Sequence, residues 1–275
     1  MTFDEERRME MKSGKLWCWG YVLPKVPGPM MFVNQETYCS LETGADYIHA
    51  GGVVFMNSTT SVRDLNDDLF RHVGRFGQVV CGLDHADYVA AAKAVSRFSL
   101  THPNVTGAML DDFLEEHGPS KNMTVDQLKA VRDALRSENP KLKLYVVRYS
   151  RQDQEALLPY LDHIDAINFW VWVSTDHYWR YQYEDQIWML KHRFGKEVMQ
   201  GVFLHNYGES WDEPIPMDML KLQLKKIGTV YRRGEIDSII VLQNGWFCRD
   251  NHMEQLQYVR NYFEWLIGTT TVRDE

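Results

Sequence analysis

Short apolar runs rich in β-branched and aromatic residues alternate along this chain with amphipathic runs of helical period. Eight of the short runs stand out. They begin near Leu16 (LWCWGYV), Val53 (VVFMN), Val79 (VVCGLD), Thr106 (TGAML), Lys143 (KLYVVRY), Asp165 (DAINFWVW), Met199 (MQGVFLHNY) and Ser238 (SIIVLQNGWF). Successive starts leave room for one strand, one helix and two loops, the pattern of repeated βα units around a parallel sheet. Between them, apolar stripes recur at helical spacing: Val62, Leu65, Leu69 and Val73; Leu128, Val131 and Leu135; Leu220, Leu224, Ile227 and Tyr231; and Leu256, Val259, Phe263 and Leu266. The run Thr124-Val125-Asp126-Gln127 has the form of a capping box ahead of the second stripe. The pattern predicts an α/β chain forming a single (β/α)8 barrel, the TIM barrel, over residues 15–275, with residues 1–14 as a polar lead-in.

Composition narrows this picture. A chain of 275 residues with 44% hydrophobic content suits one barrel, which needs roughly 250 residues. The net charge of −8 disfavours a polyanionic partner, so nucleic acid is set aside. No segment has the length and apolarity of a membrane span. The charged start, Met1 to Arg8, lacks the apolar stretch of a secretory signal, which makes the cytoplasm the default location; an exported protein whose signal has been removed reads the same. Cys18, Cys39, Cys81 and Cys248 have no zinc-type spacing, and reduced, mostly buried thiols are expected.

Barrels of this kind place their chemistry at the C-terminal ends of the strands. That rule selects Tyr21, Asn57, Asp84 and His85 after the first three strands, Asp111 and Asp112 after the fourth, and Arg148 and Tyr149 after the fifth. Strand six adds Asn168, Trp170 and Trp172, strand seven His205, Asn206 and Tyr207, and strand eight Gln243, Asn244 and Trp246. Aromatic faces stack on the C–H faces of sugar rings while amides and charges bind hydroxyls, so the mixture points to a carbohydrate ligand. Arg148 is expected beside Asp111, holding it ionised.

Two carboxylates held close do not both ionise easily, so one is pushed towards the working pH and donates a proton while the other stays charged. Glycosidic bond cleavage uses such a division of labour. It requires that the strand end or bulge at the pair, because consecutive residues of a regular strand face opposite ways.

The run Gly107-Ala108-Met109-Leu110-Asp111-Asp112-Phe113 resembles the fourth-strand motif of glycoside hydrolases that use substrate-assisted catalysis, above all the β-N-acetylglucosaminidases. The resemblance implies that Asp111 polarises a substrate 2-acetamido group and that Asp112 is general acid and then base, with no cofactor. The longer DxxDxDxE pattern of chitinases is absent. Three alternatives stand beside it: an ordinary two-carboxylate glycosidase pairing Asp112 with Glu209 or Asp84; a metal-dependent hydrolase or isomerase using Asp84, His85, Asp111 and His205; and a carbohydrate-binding barrel without catalysis.

Overall fold

A computed structural model describes residues 14–21, 39–56, 70–210, 213–247 and 249–271. Eight parallel strands close on themselves in chain order, with β1 bonded to both β2 and β8. They are β1 (Leu16–Tyr21), β2 (Gly52–Met56), β3 (Gln78–Gly82), β4 (Val105–Leu110), β5 (Lys143–Tyr149), β6 (Ala166–Trp170), β7 (Glu197–Phe203) and β8 (Ser238–Leu242). Each begins within two residues of the start of a run read from the sequence. Parallel strands need crossovers, and helices supply them on the outside. These are α1 (Leu41–Tyr47), α2 (Tyr88–Phe98), α3 (Val125–Leu135), α4 (Asp176–Tyr181), α5 (Tyr183–Trp188), α6 (Met217–Arg232) and α7 (Met253–Thr271).

The expected stripes face inwards on three of these helices. Leu128, Val131 and Leu135 of α3 are buried, as are Leu220, Leu224 and Ile227 of α6 and Leu256, Val259, Phe263 and Leu266 of α7. The capping box of α3 is formed, with Gln127 N donating to Thr124 Oγ1 and Thr124 N to Gln127 Oε1. Of the first stripe, Val62, Leu65 and Leu69 lie outside the described residues and Val73 is buried. Between β5 and β6 the crossover is not an α-helix but a 3-10 segment, Gln154–His163, with Pro159 inside it. Proline there has no N–H to donate and disfavours continuous i to i−4 bonding.

Period-two alternation splits the strand side chains between two buried layers. Trp17, Trp19, Val54, Val80, Met109, Tyr145, Val147, Trp170, Met199, Phe203 and Ile240 fill the barrel itself. Their neighbours, such as Cys18, Val53, Cys81, Leu110 and Val146, pack outwards against the helices. Cys18 and Cys81 are buried free thiols and Cys39 is half-buried and free. Among the described residues no helix is long and apolar enough to cross a membrane.

Candidate active site

β4 stops at Leu110, immediately before the acidic pair. Met109 faces the barrel interior and Leu110 faces outwards, so Asp111 continues the inward phase. A regular strand would send Asp112 outwards. The backbone instead turns into the left-handed region at Asp112 (φ 46°) and again at Leu114 (φ 56°). That conformation is uncommon outside glycine, and aspartate tolerates it better than most. The turn brings both carboxyl groups to one cavity at the mouth of the barrel. The geometric condition set by the strand period is thereby met.

The loop is braced on several sides. Ser120 Oγ donates to Asp112 O at 3.0 Å and accepts from Leu114 N at 3.1 Å. Glu115 N donates to Asp112 O at 3.0 Å, and Gly118 N to Glu115 O at 2.9 Å. A Cβ at Gly118 would stand 2.8 Å from Asp112 O and 3.0 Å from the Cβ atoms of both Asp112 and Glu115. Gly118→Ala therefore displaces the acidic loop. Its expected cost is about 1–3 kcal/mol of stability, read by urea denaturation; unchanged stability would show that the loop has slack.

Asp112 N donates to Asp111 Oδ1 at 2.9 Å. Burial first, and the neighbouring Asp112 charge second, push the Asp111 carboxyl up from 3.8 to about 7. Tyr149 Oη donates to Asp112 Oδ1 at 2.5 Å. Burial, together with the charges of Asp111 and Asp112, holds that tyrosine hydroxyl well above its ordinary value, so it stays a donor.

The cavity has a volume of about 320 Å³. Aromatic rings wall it in a continuous series: Trp19 edge-on to Trp170 (6.1 Å), Trp170 stacked on Phe203 (4.7 Å), and Trp172 packed against Phe203, Tyr207 and Tyr149 (5.4–6.0 Å). Trp170 lies so close over β7 that a Cβ at Gly201 would meet its ring at 2.0 Å. Tyr207 Oη accepts from Trp246 Nε1 at 2.6 Å. Trp246 is in turn stacked on His205 (4.1 Å, 6°), whose Nδ1 lies 3.0 Å from His252 Nε2. Val173, next to Trp172, has φ 58°, a strained state for a β-branched residue.

Of the residues selected from the sequence, Asp111, Asp112, Tyr149, Trp170, Trp172, Tyr207 and Gln243 line this cavity. Others do not reach it. Arg148 alternates to the outer face of β5, where its guanidinium donates to Phe113 O (3.2 Å) and Asp153 O (2.7 Å); it clamps the loop after Asp112 from behind rather than pairing with Asp111. Asn168 is buried beneath Trp170, donating to Met199 O and accepting from Trp170 Nε1. Asn244 donates to Cys39 O, and Trp246 and His205 support Tyr207 from outside the cavity. Asn206 caps a turn, accepting from Glu209 N and Ser210 N, and Glu209 is exposed. Asp84 accepts from Ala86 N in a local turn. The side chain of Tyr21 and the whole of Asn57 lie outside the described residues. Asp84, His85, Asp111 and His205 do not converge, and among the described residues no group of three His, Cys, Asp or Glu could hold a metal.

Six lining residues were not selected as site residues: Trp19, Phe203, Leu242, Glu115, His117 and Arg151. Trp19 and Phe203 carry a readable sign, since each lies on the inward phase of its strand. Glu115, His117 and Arg151 lie in loops, where charged residues read as solvated.

Fold and site together define a (β/α)8 barrel whose mouth is an aromatic-walled cavity with a carboxyl pair at its edge. No family model matches the sequence, and no curated protein is similar to it. Among solved structures the chain is similar to the catalytic domain of a glycoside hydrolase family 26 endo-β-1,4-mannanase from Bacillus sp. JAMB-750, with 10% identity over 96% of this chain and 90% of that one (TM-score 0.58). It is also similar to a glycoside hydrolase family 5 mannosidase from Rhizomucor miehei, with 9% identity over 85% and 88% (TM-score 0.56). A mutant tryptophan synthase α-subunit from Pyrococcus furiosus shares 11% identity over 93% and 98% (TM-score 0.53). Likeness at this identity is a likeness of fold, which hosts unrelated chemistries.

Proposed function

We propose that this chain is a glycoside hydrolase acting on a sugar that stacks against the Trp170, Trp172 and Tyr207 wall. The observation carrying the reading is the convergence of Asp111 and Asp112 on one aromatic-walled cavity. Its volume, about 320 Å³, is at the small end of ligand sites and fits a short saccharide unit. The mannanase and the mannosidase among the similar structures are glycoside hydrolases built on the same fold.

Asp111, held up to about 7, keeps a substantial protonated fraction up to neutral pH and would deliver that proton to the glycosidic oxygen. Asp112 faces the cationic anomeric centre or the group that attacks it, with Tyr149 donating to its other side. These roles are exchanged relative to those implied by the sequence resemblance, because burial and the neighbouring Asp112 charge push the Asp111 carboxyl up. On an N-acetylated sugar, Asp112 would accept the acetamido N–H, and the acetamido oxygen would attack the anomeric carbon. Tyr207, with its oxygen already accepting from Trp246, would have its own hydroxyl proton to offer.

Turnover of matched aryl glycosides of N-acetylated and 2-hydroxy sugars tests both levels of the reading. Hydrolysis of the N-acetylated series supports the acetamido-assisted route. Hydrolysis of 2-hydroxy sugars alone leaves a glycosidase but removes that route, and inertness towards both series at high enzyme concentration removes the class.

A further inference from the structure

The loop that carries the acidic pair also delivers a third carboxylate to the cavity. Glu115 is 5% exposed and lines the same space as Asp111 and Asp112. Its Oε1 receives Arg151 Nη1 at 2.8 Å. Its Oε2 is buried with no hydrogen-bond partner. Leaving a charged acceptor desolvated and unmet is expensive, so such groups occur where a ligand supplies the missing donor.

Arg151 is not a loose surface partner. Its guanidinium lies over both Tyr149 (5.4 Å) and Trp172 (5.3 Å), so it forms part of the wall and fixes the orientation of Glu115. The carboxylate is fixed at its backbone as well, through the bonds that join Asp112, Glu115 and Gly118. An oxygen held this rigidly selects for a donor at one position. Of the groups a neutral sugar offers, hydroxyls are the donors that a lone carboxylate oxygen accepts best. An acidic sugar would bring its charge against the carboxylates of this loop, with Arg151 already paired to one of them.

We propose that Glu115 is a specificity-determining residue that accepts a ring hydroxyl of a neutral sugar through Oε2, with Arg151 as its positioning partner. This rests on the glycosidase reading above and assigns one polar contact of its substrate. A hydrogen bond to a charged group contributes about 1.5–3 kcal/mol, roughly a 10- to 100-fold effect on binding. The bond is made to an unreacting hydroxyl and is present in ground and transition states alike, so it acts on KM rather than kcat.

The test uses wild type, Glu115→Gln and Arg151→Leu with 4-nitrophenyl glycosides of neutral sugars, their monodeoxy analogues and the matching uronides. Binding is followed by tryptophan fluorescence beside turnover, and thermal unfolding confirms that the variants fold. Removal of one particular hydroxyl is expected to weaken binding to wild type roughly 10- to 100-fold and to change little in Glu115→Gln. Uronides should bind worst of all. The proposal is overturned if every deoxy analogue loses equally in wild type and variant, if uronides bind best, or if Glu115→Gln collapses kcat at unchanged KM, which would make Glu115 a reacting carboxylate. Sugars that bind but are not hydrolysed would remove the glycosidase and leave Glu115 to be judged on affinity alone. Absence of binding by any probe removes both.

Discussion

Asp111→Asn is expected to lower kcat by about 10³-fold and, in the same protein, to raise stability above neutral pH. On the proposed reading the loss follows from removing the group that would protonate the leaving oxygen, a contribution of roughly 10²–10⁴ in characterised enzymes. The gain follows from linkage. In the unfolded chain this carboxyl titrates near 3.8, whereas in the fold it is pushed up to about 7 by burial and by Asp112. Between those values the folded state holds a proton that the unfolded state has released, so stability falls as pH rises through the window and the penalty is complete above about 7. Its full size is on the order of 2–4 kcal/mol once the partial exposure of the residue is allowed for. Asparagine does not ionise and escapes the penalty. Wild type and variant should therefore unfold alike near pH 4, with the variant more stable at pH 8, as urea denaturation at both values will show. Equal stability at pH 8 would mean that the Asp111 carboxyl is not perturbed. The kinetic counterpart is an alkaline limb near pH 7 in the wild-type kcat/KM profile, because only protonated Asp111 donates.

Asp112→Asn is expected to cost a similar factor in kcat, about 10³-fold, and also to move that limb. The Asp112 charge is the second cause of the raised value at Asp111, so neutralising it lowers the pH at which Asp111 gives up its proton. Residual activity of the variant should then fall away at lower pH than wild type. The Tyr149 hydroxyl would lose its charged acceptor at 2.5 Å, which predicts that Asp112→Asn and Tyr149→Phe are strongly non-additive. Full activity in either aspartate variant would remove the site assignment. A large loss with an unmoved alkaline limb would separate Asp112 from the titration of Asp111 while keeping both in the reaction.

Nearly all of the barrel could be read from the chain, because strands buried on both faces must be apolar throughout and their helices must show a 3.6-residue stripe. The site was legible only in part. Asp111, Trp170 and Trp172 could be found because strand position alone aims them at the mouth. Arg148 could not be assigned, since its phase on β5 sends it outwards and a charged residue after an apolar run does not show which carbonyls it will meet. Asn168 and Asn244 have the chemistry of sugar ligands but donate to backbone carbonyls instead, a choice decided by neighbours distant in sequence. Glu115 and Arg151 read as solvated charges in the sequence, because the ion pair that joins their two loops, and under which Glu115 is buried, has no local signal. The turn at Asp112 was stated as a requirement and not as an expectation, for a left-handed residue other than glycine leaves no trace in composition.

Arg148 holds the acidic loop from the helix side of the sheet, whereas the aromatic wall stands on the barrel side. The clamp behind the loop and the aromatic wall are thus moored to different layers of the same molecule, and the Tyr149–Asp112 hydrogen bond joins them. Substitutions at Tyr207 can redraw the cavity without touching the bonds that set Asp112, whereas Trp172 packs on Tyr149, which holds that carboxylate. A scaffold moored in this way is evolvable: new cavity shapes can be explored one mutation at a time while the acidic loop keeps its clamp.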